Sequence, residues 1–291
     1  MTLDTLPLLV HPSPASIAAY RGGQPVLAGR LLADATRLRE AMPDGHHVLN
    51  ICADRYQFAV GLLASIMAGK VSLLSPSLVP EVIRQLRAFA PDAFCVADED
   101  TPDINLPTLR MPEPSAAPAA DAWPAPDIPC SQVIAYVFTS GSTGTPVPHR
   151  KTWGTVARNV RVEAQRLHLD DDRHHAIIAT VPVQHMYGLE TSLLVALQSG
   201  QAFCAERPFY PADIASLVAA VPRPRMLAST PLHLHALLAV DIELPAVDMV
   251  VCATAPLDAA AARNIEARFK APLLEIYGST ETGQIASRRP A

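Results

Sequence analysis

The chain has 291 residues and a formal net charge of −5, with 49% hydrophobic and 18% charged residues. That length suits one large α/β domain or two small ones, and the apolar share excludes a globally disordered chain. The acidic balance gives no electrostatic footing for nucleic acid, and no apolar run reaches the roughly 18 residues of a membrane-spanning helix, so neither nucleic acid nor membrane is an expected partner.

The N-terminal stretch MTLDTLPLLVHPSP carries Asp4 and no basic region, a poor match to a secretory leader. Residues 24–42 have apolar residues at helical spacing. HVLNIC (47–52) reads as a strand, YQFAVGLLASIMAG (56–69) as a helix capped by Gly69, and VSLLS (71–75) as a strand. PEVIRQLRAFA (80–90) reads as a helix with Pro80 in its first turn, and AFCVAD (93–98) as a strand. This βαβαβ order implies a parallel sheet with helices on its faces. Residues 99–130 are rich in Pro, Ala and Asp without a period and read as a surface loop or linker. Strand VIAYVF (133–138) opens a second α/β run: a helix near 152–168, strand 176–181, helix 189–198, strand 202–205, helix 212–221 and strand 226–230. A helix at 231–239, strand 247–254, helix 258–269 and strand 272–278 complete it. The expected fold is α/β, with two successive, predominantly parallel β-sheets flanked by helices. Residues 1–98 form a first subdomain, 99–130 a connecting loop, and 131–291 a second subdomain.

The five cysteines (Cys52, Cys95, Cys130, Cys204, Cys252) are odd in number and scattered, mostly inside apolar runs. They are expected to be reduced core thiols in a cytoplasmic protein. The pairs His46-His47 and His174-His175 precede strands and read as turn residues rather than metal ligands.

At the end of strand 133–138 the sequence becomes Thr139, Ser140, Gly141, Ser142, Thr143, Gly144, Thr145. The glycines allow a sharp turn and close backbone approach, successive N–H groups form an anion nest, and the hydroxyls add donors. Ligands of open α/β sheets bind beyond the carboxyl ends of strands, so a phosphate is the natural occupant, its charge met by Lys151, with Arg150 and His149 nearby. The loop is neither a Walker A nor a GxGxxG sequence. The plain alternative is a Ser/Gly turn with no ligand. A second strand ends likewise in LEIYGSTETGQ (274–284). There Glu281 suits Mg²⁺, Thr280 suits a phosphate and Tyr277 offers a ring to a base; the alternative is a hairpin turn with a solvated glutamate. Two weaker signals lie between them, VPVQHMYGLE (181–190) with His185, and the small residues of CATAPLD (252–258). Alone, His185 reads as a turn or core histidine, and Ala253–Ala255 as helix–sheet packing.

Together these stretches resemble the adenylate-forming superfamily of acyl-CoA synthetases, aryl-acid ligases and adenylation domains. FTSGSTGTP resembles its phosphate loop, PVQHMYGLE its aromatic-gate motif, ATAPLD its adenine-binding stretch and YGSTETG its Tyr-Gly-x-Thr-Glu motif; residues 54–80 also resemble its N-terminal half. The resemblance implies ATP and Mg²⁺ as cofactors. It implies that Thr139, Ser140, Gly141, Ser142, Thr143 and Gly144 wrap the β- and γ-phosphates, that Thr280 contacts the α-phosphate and that Glu281 binds Mg²⁺. Ala253, Thr254 and Ala255 would line the base pocket, with Tyr277, Gly278 and Ser279 beside the nucleotide. His185 would gate an acyl pocket that Met186, Tyr187, Gly188 and Ser229 help to form. The implied activity is activation of a carboxylic acid to an acyl-adenylate, followed by transfer to the thiol of CoA or an acyl carrier protein.

Two departures stand out. The family's phosphate loop continues Pro-Lys-Gly, where this chain has Pro146-Val147-Pro148, which leaves Lys151 as the substitute lysine. The family's ribose-binding aspartate, hinge and small C-terminal domain with its catalytic lysine lie beyond the stretch matched here, so the chain is expected to be the large N-terminal part of a longer enzyme, weakly active or inactive alone. A histidine gate without an aspartate argues against an α-amino acid. The form of residues 148–153 resembles ligases of aryl-polyene and xanthomonadin pigment clusters, which makes a hydroxybenzoate the expected acid; a fatty acid with CoA stays open. The competing class is a non-catalytic nucleotide- or acyl-binding module. A hydrolase or kinase is disfavoured because no Walker loop, GxSxG elbow or HRD loop is found.

Overall fold

A computed structural model describes residues 4–75, 77–98, 104–112, 123–140 and 146–290. In chain order come β1 (Thr5–Pro7), β2 (Ile17–Arg21), β3 (Gln24–Leu27), α1 (Ala28–Ala41), β4 (His47–Asn50), α2 (Arg55–Met67), β5 (Val71–Leu74), α3 (Pro80–Phe89) and β6 (Phe94–Ala97). They are followed by β7 (Thr108–Arg110), β8 (Asp127–Pro129), β9 (Val133–Ser140), β10 (Pro146–Thr152), α4 (Trp153–Arg166) and β11 (Ala176–Ala179). Next are α5 (Met186–Gly188), a π-helical turn (Leu189–Leu194), α6 (Val195–Ser199), β12 (Ala202–Cys204), α7 (Pro211–Ala220) and β13 (Arg225–Ser229). The last elements are α8 (Pro231–Ala239), β14 (Met249–Cys252), α9 (Ala259–Phe269), β15 (Leu273–Ser279) and β16 (Gly283–Arg288). The chain divides into two compact units, Met1–Ser16 with Leu27–Arg158, and Ile17–Val26 with Asn159–Ala291.

The first unit holds a six-stranded sheet in the order β10-β9-β5-β4-β6-β7, parallel throughout except for the β9–β10 hairpin. Every residue of β5 and β6 is buried, as strands covered on both faces require. Helix α2 begins where the Asp54 carboxylate accepts from the Gln57 N–H at 2.9 Å. Most of its surface is buried, which is why its sequence is apolar all round. Gly69 follows it with φ +68°, the left-handed residue that commonly stops a helix.

The second unit holds an eight-stranded sheet in the order β16-β15-β14-β13-β11-β12-β2-β3. Pairing is parallel from β15 through β2 and antiparallel for β15 with β16. Its core packs Ile178, Leu227 and Val250 of the strands against Leu217, Leu234 and Ile265 of the helices. The expected pair of predominantly parallel, helix-flanked sheets is therefore present.

Several boundaries differ from the sequence-based expectation. The strand at 133–140 pairs with β5, so it belongs to the first unit, not the second. The passage between units falls inside α4, at Arg158–Asn159, rather than at residues 99–130. Residues 17–26 leave the first unit and supply β2, which pairs with β12. The expected helix 24–42 begins only at Ala28, because Gln24–Leu27 are extended in β3. The stretch 99–130 contributes β7 to the first sheet and β8 to a pair with β1.

Candidate active site

In the second unit, β13, β14 and β15 run parallel; Ser229 pairs with Cys252 and Cys252 with Glu275, and β15 continues to Ser279. Beyond their carboxyl ends lies a cavity of about 330 Å³. It is bordered by Thr230 after β13, Ala253 and Thr254 after β14, and Ile276, Gly278, Ser279 and Thr280 on and after β15. His185, Met186 and Tyr187 of α5 and its cap, Glu190 and Thr191 of the π turn, and Gly283 and Gln284 of β16 also border it. The carboxyl ends of parallel strands are where open α/β sheets bind ligands.

Short-range chemistry fixes this shape. The Tyr187 hydroxyl, 3.1 Å from both the Ser229 and the Val251 carbonyl oxygens, donates between two strand ends. Burial pushes its pKa far above the ordinary value, so it stays a neutral donor. Gly188 packs where a Cβ would strike the Pro182 carbonyl, which lets α5 start directly against the chain leaving β11. Thr254 has φ +83°, a conformation that a β-branched residue adopts only under constraint. Such strain, of order 1–3 kcal/mol, concentrates at ligand sites. Ser229 does not border the cavity: it is fully buried, with its hydroxyl 3.0 Å from that of Thr180, and its neighbour Thr230 takes the expected place.

The Thr-Glu motif is the turn of the β15–β16 hairpin. Ser279 pairs with Gly283 across it, and the Ser279 and Thr282 hydroxyls lie 3.0 Å apart. Thr280 borders the cavity, while Glu281 sits exposed at the tip. Gly278 is required because a Cβ there would meet the Gly283 carbonyl across the hairpin. The His185 ring keeps surface open to solvent, yet desolvation by its surroundings lowers its pKa below the ordinary histidine value and favours the neutral ring.

A neighbouring cavity of about 520 Å³ shares Thr254, Ile276 and Gly278, and adds Ala255, Tyr277 and Glu275. Tyr277 is 70% exposed, leaving its ring available for stacking. Buried Glu275 accepts from the Leu257 N–H at 2.7 Å and from Arg288 Nε at 2.7 Å, tying the small-residue stretch after β14 to the hairpin. Sequence reasoning passed over Glu275, whose only signal was a charge inside an otherwise apolar strand.

It also passed over a polar wall. Glu190 is 4% exposed and accepts from Asn159 Nδ2 at 2.9 Å. The Thr191 hydroxyl donates to Glu163 Oε1 at 2.6 Å. Turned with its nitrogen inward, the Gln284 amide donates to both Glu163 oxygens at 3.0 and 3.1 Å. Desolvation raises the pKa of Glu163 to about 8, and the nearby Glu190 carboxylate pushes the same way.

In the first unit, the phosphate-loop residues Gly141, Ser142, Thr143 and Gly144, with the side chain of Ser140, lie outside the described residues. At the loop's base the Thr139 hydroxyl and His149 Nε2 are 2.9 Å apart. Lys151 is buried and pairs with Ala135, four positions along β9 from Thr139, or about 13 Å at about 3.3 Å per residue. His149 is the basic group that reaches the loop's base. Two of the histidines that precede strands meet carboxylates: His47 Nδ1 lies 2.7 Å from Asp92, and His175 Nε2 lies 3.1 Å from Asp171. Four of the five cysteines are buried and all are free.

Among the described residues, no three His, Cys, Asp or Glu side chains are grouped to hold a metal ion, and no helix is long and apolar enough to cross a membrane. Glu281 is one exposed carboxylate. Mg²⁺ commonly takes one or two carboxylates, phosphate oxygens and water, so the chain fits this ion only alongside a bound polyphosphate.

Several known proteins resemble this chain. A 4-chlorobenzoate–CoA ligase of Arthrobacter sp is 30% identical over 171 residues, 56% of this chain and 32% of that protein. A 4-coumarate–CoA ligase 5 of Oryza sativa subsp. japonica is 25% identical over 274 residues, 84% of this chain and 49% of the relative. ATP-bound MatB from Rhodopseudomonas palustris shares the fold with a TM-score of 0.78 at 21% identity, over 97% of this chain and 60% of that one. The chain thus spans about a third to a half of the curated relatives it matches. Residues 30–291 match the family model of AMP-binding enzymes, and the chain belongs to that family.

Proposed function

We propose that this chain supplies the nucleotide- and acid-binding part of an ATP-dependent acid–thiol ligase. The observation that carries the reading is one cavity bordered by both Thr280 of the hairpin and His185 of the gate motif. An acid there has a phosphate-contacting hydroxyl and a histidine in the same enclosure. Its carboxylate oxygen attacks the α-phosphorus of ATP, the bond to pyrophosphate breaks, and an acyl-adenylate remains. A thiol sulfur then attacks the acyl carbon and AMP leaves.

Such chemistry asks the protein for alignment and charge stabilisation more than covalent help. Thr280 donates to the α-phosphate, and Glu281 holds Mg²⁺ with the phosphates. The loop at Thr139–Gly144 nests the departing pyrophosphate, with His149 at its base. Tyr277 stacks on the base beside Ala253–Ala255. His185, held neutral, screens the acid from water without adding charge.

A cavity of about 330 Å³ is at the small end of the roughly 300–1,000 Å³ usual for ligand sites, which favours a small aryl acid, such as a hydroxybenzoate, over a long-chain fatty acid. Relatives named for 4-chlorobenzoate and 4-coumarate support the same class, and their acceptor, CoA, is the first thiol to test; an acyl carrier protein is the second. A hydroxylamine trap tests the reading. With ATP, Mg²⁺ and an aryl acid, hydroxamate should form, and Thr280→Val should suppress it. Hydroxamate formation that is indifferent to the acid added would sink the proposal.

A further inference from the structure

Building on the acid-activation reading above, we propose that His233 is a positioning residue: its Nδ1–H donates to the Thr230 hydroxyl, which leaves that hydroxyl's own proton for a carboxylate oxygen of the bound acid.

Helix α8 begins Thr230-Pro231-Leu232-His233, with Thr230 as its N-cap. A threonine at this place ordinarily accepts from a backbone N–H of the first helical turn. Here its side chain makes no such bond. Its hydroxyl instead lies 2.9 Å from His233 Nδ1, one turn along the helix. Thr230 borders the 330 Å³ cavity, so the hydroxyl is withheld from helix capping at the edge of the acid site.

The surroundings of the ring decide which partner donates. A neutral imidazole has one N–H and one lone pair, and a hydroxyl has one proton and two lone pairs. Were Thr230 the donor, the imidazole proton would sit on Nε2. That nitrogen is enclosed and meets no hydrogen-bond partner among the described residues. A buried N–H without an acceptor is rarer than a buried acceptor without a donor. The proton therefore belongs on Nδ1, where Thr230 accepts it. No other partner among the described residues takes the Thr230 proton.

Two further features hold this state. Phe209 packs edge-to-face on the imidazole, with ring centroids 5.4 Å apart and planes at 89°, and so restricts its rotation. Desolvation, aided by the Arg207 charge, lowers the His233 pKa and favours the neutral ring. A neutral hydroxyl donor can hold one carboxylate oxygen and leave the other to attack the α-phosphorus.

The test joins a spectrum to a titration. In protein carrying ¹⁵N-labelled histidine, two-bond ¹H–¹⁵N spectra read the tautomer, and the His233 signals are those lost in His233→Leu. The expected form is neutral with the proton on Nδ1; a proton on Nε2 would overturn the proposal. Calorimetry then compares AMP with the acyl-sulfamoyl adenosine of benzoate, whose acyl oxygen stands for the carboxylate oxygen that Thr230 holds. Thr230→Val should weaken the mimic by about tenfold relative to AMP, as loss of one hydrogen bond would. His233→Leu should do nearly the same, the double variant should lose little more, and His233→Asn, which returns an N–H near the Nδ1 position, should recover to within about threefold of wild type. The ratio of mimic to AMP is insensitive to loss of folded protein. A ratio unchanged in Thr230→Val, or additive losses in the double variant, would overturn the proposal. Wild-type protein that binds AMP and not the mimic would instead overturn the acid-activation reading, and this proposal with it.

Discussion

Glu275 Oε1 stands 2.7 Å from the backbone nitrogen of Leu257, a bond from the centre of β15 to the loop that leaves β14. The other carboxylate oxygen meets Arg288 at 2.7 Å, so one buried side chain fixes both borders of the cavity assigned to the base. Removing it strands a buried N–H and frees Thr254–Leu257 to move. Glu275→Ala should cost about 1–3 kcal/mol of unfolding free energy and weaken AMP binding beyond what the stability loss explains. Urea denaturation and AMP titration check this; unchanged AMP affinity would show that the tether serves folding alone.

Tyr187→Phe keeps the ring as a cavity wall and deletes a hydroxyl shared by two carbonyls. The variant should lose about 1–2 kcal/mol of stability, read by urea denaturation. Its acid affinity should fall by less than about tenfold, because the phenol head is committed to the strands.

His185→Ala should raise the concentration of acid needed for half-maximal activation by about tenfold while leaving nucleotide affinity near the wild-type value, since the ring borders the acid cavity and not the one holding Tyr277. Equal losses in both titrations would assign the histidine to folding.

Glu163 gives a pH-dependent prediction with a defined sign. Its pKa is about 8 when folded, against 4.5 ordinarily. The folded chain holds this proton more tightly, so the contribution is present at acid pH and is lost as pH rises from about 4.5 through about 8. Glu163→Gln removes the dependence. Variant-minus-wild-type stability should grow across that window by an amount on the order of a few kcal/mol and level off above it. A difference flat with pH would contradict the assignment.

The placement of the candidate stretches was legible in the sequence because it is local. A strand ending in glycine and hydroxyl residues announces a turn at a carboxyl edge wherever the strand pairs, and the His185, Ala253–Ala255 and Thr280 stretches fall at strand ends as expected. What could not be read was pairing. Residues 146–152 carry Pro146 and Pro148 among charged residues, a loop-like composition that a strand tolerates only at a sheet edge, and β10 is such an edge. Residues 17–26 form a short strand pair whose place beside β12 depends on a long-range crossover. The π turn adds no periodic signal over six residues, and the Glu163–Thr191–Gln284 cluster joins three segments far apart in sequence.

The most direct test of acid activation is carboxylate-dependent exchange of labelled pyrophosphate into ATP, run over a panel of aryl and fatty acids. The expected result is exchange that begins on adding a small aryl acid, is strongest with a hydroxybenzoate and is lost in Glu281→Ala. Nucleotide binding with no exchange under any acid would contradict it and leave a binding module that keeps the fold without the chemistry.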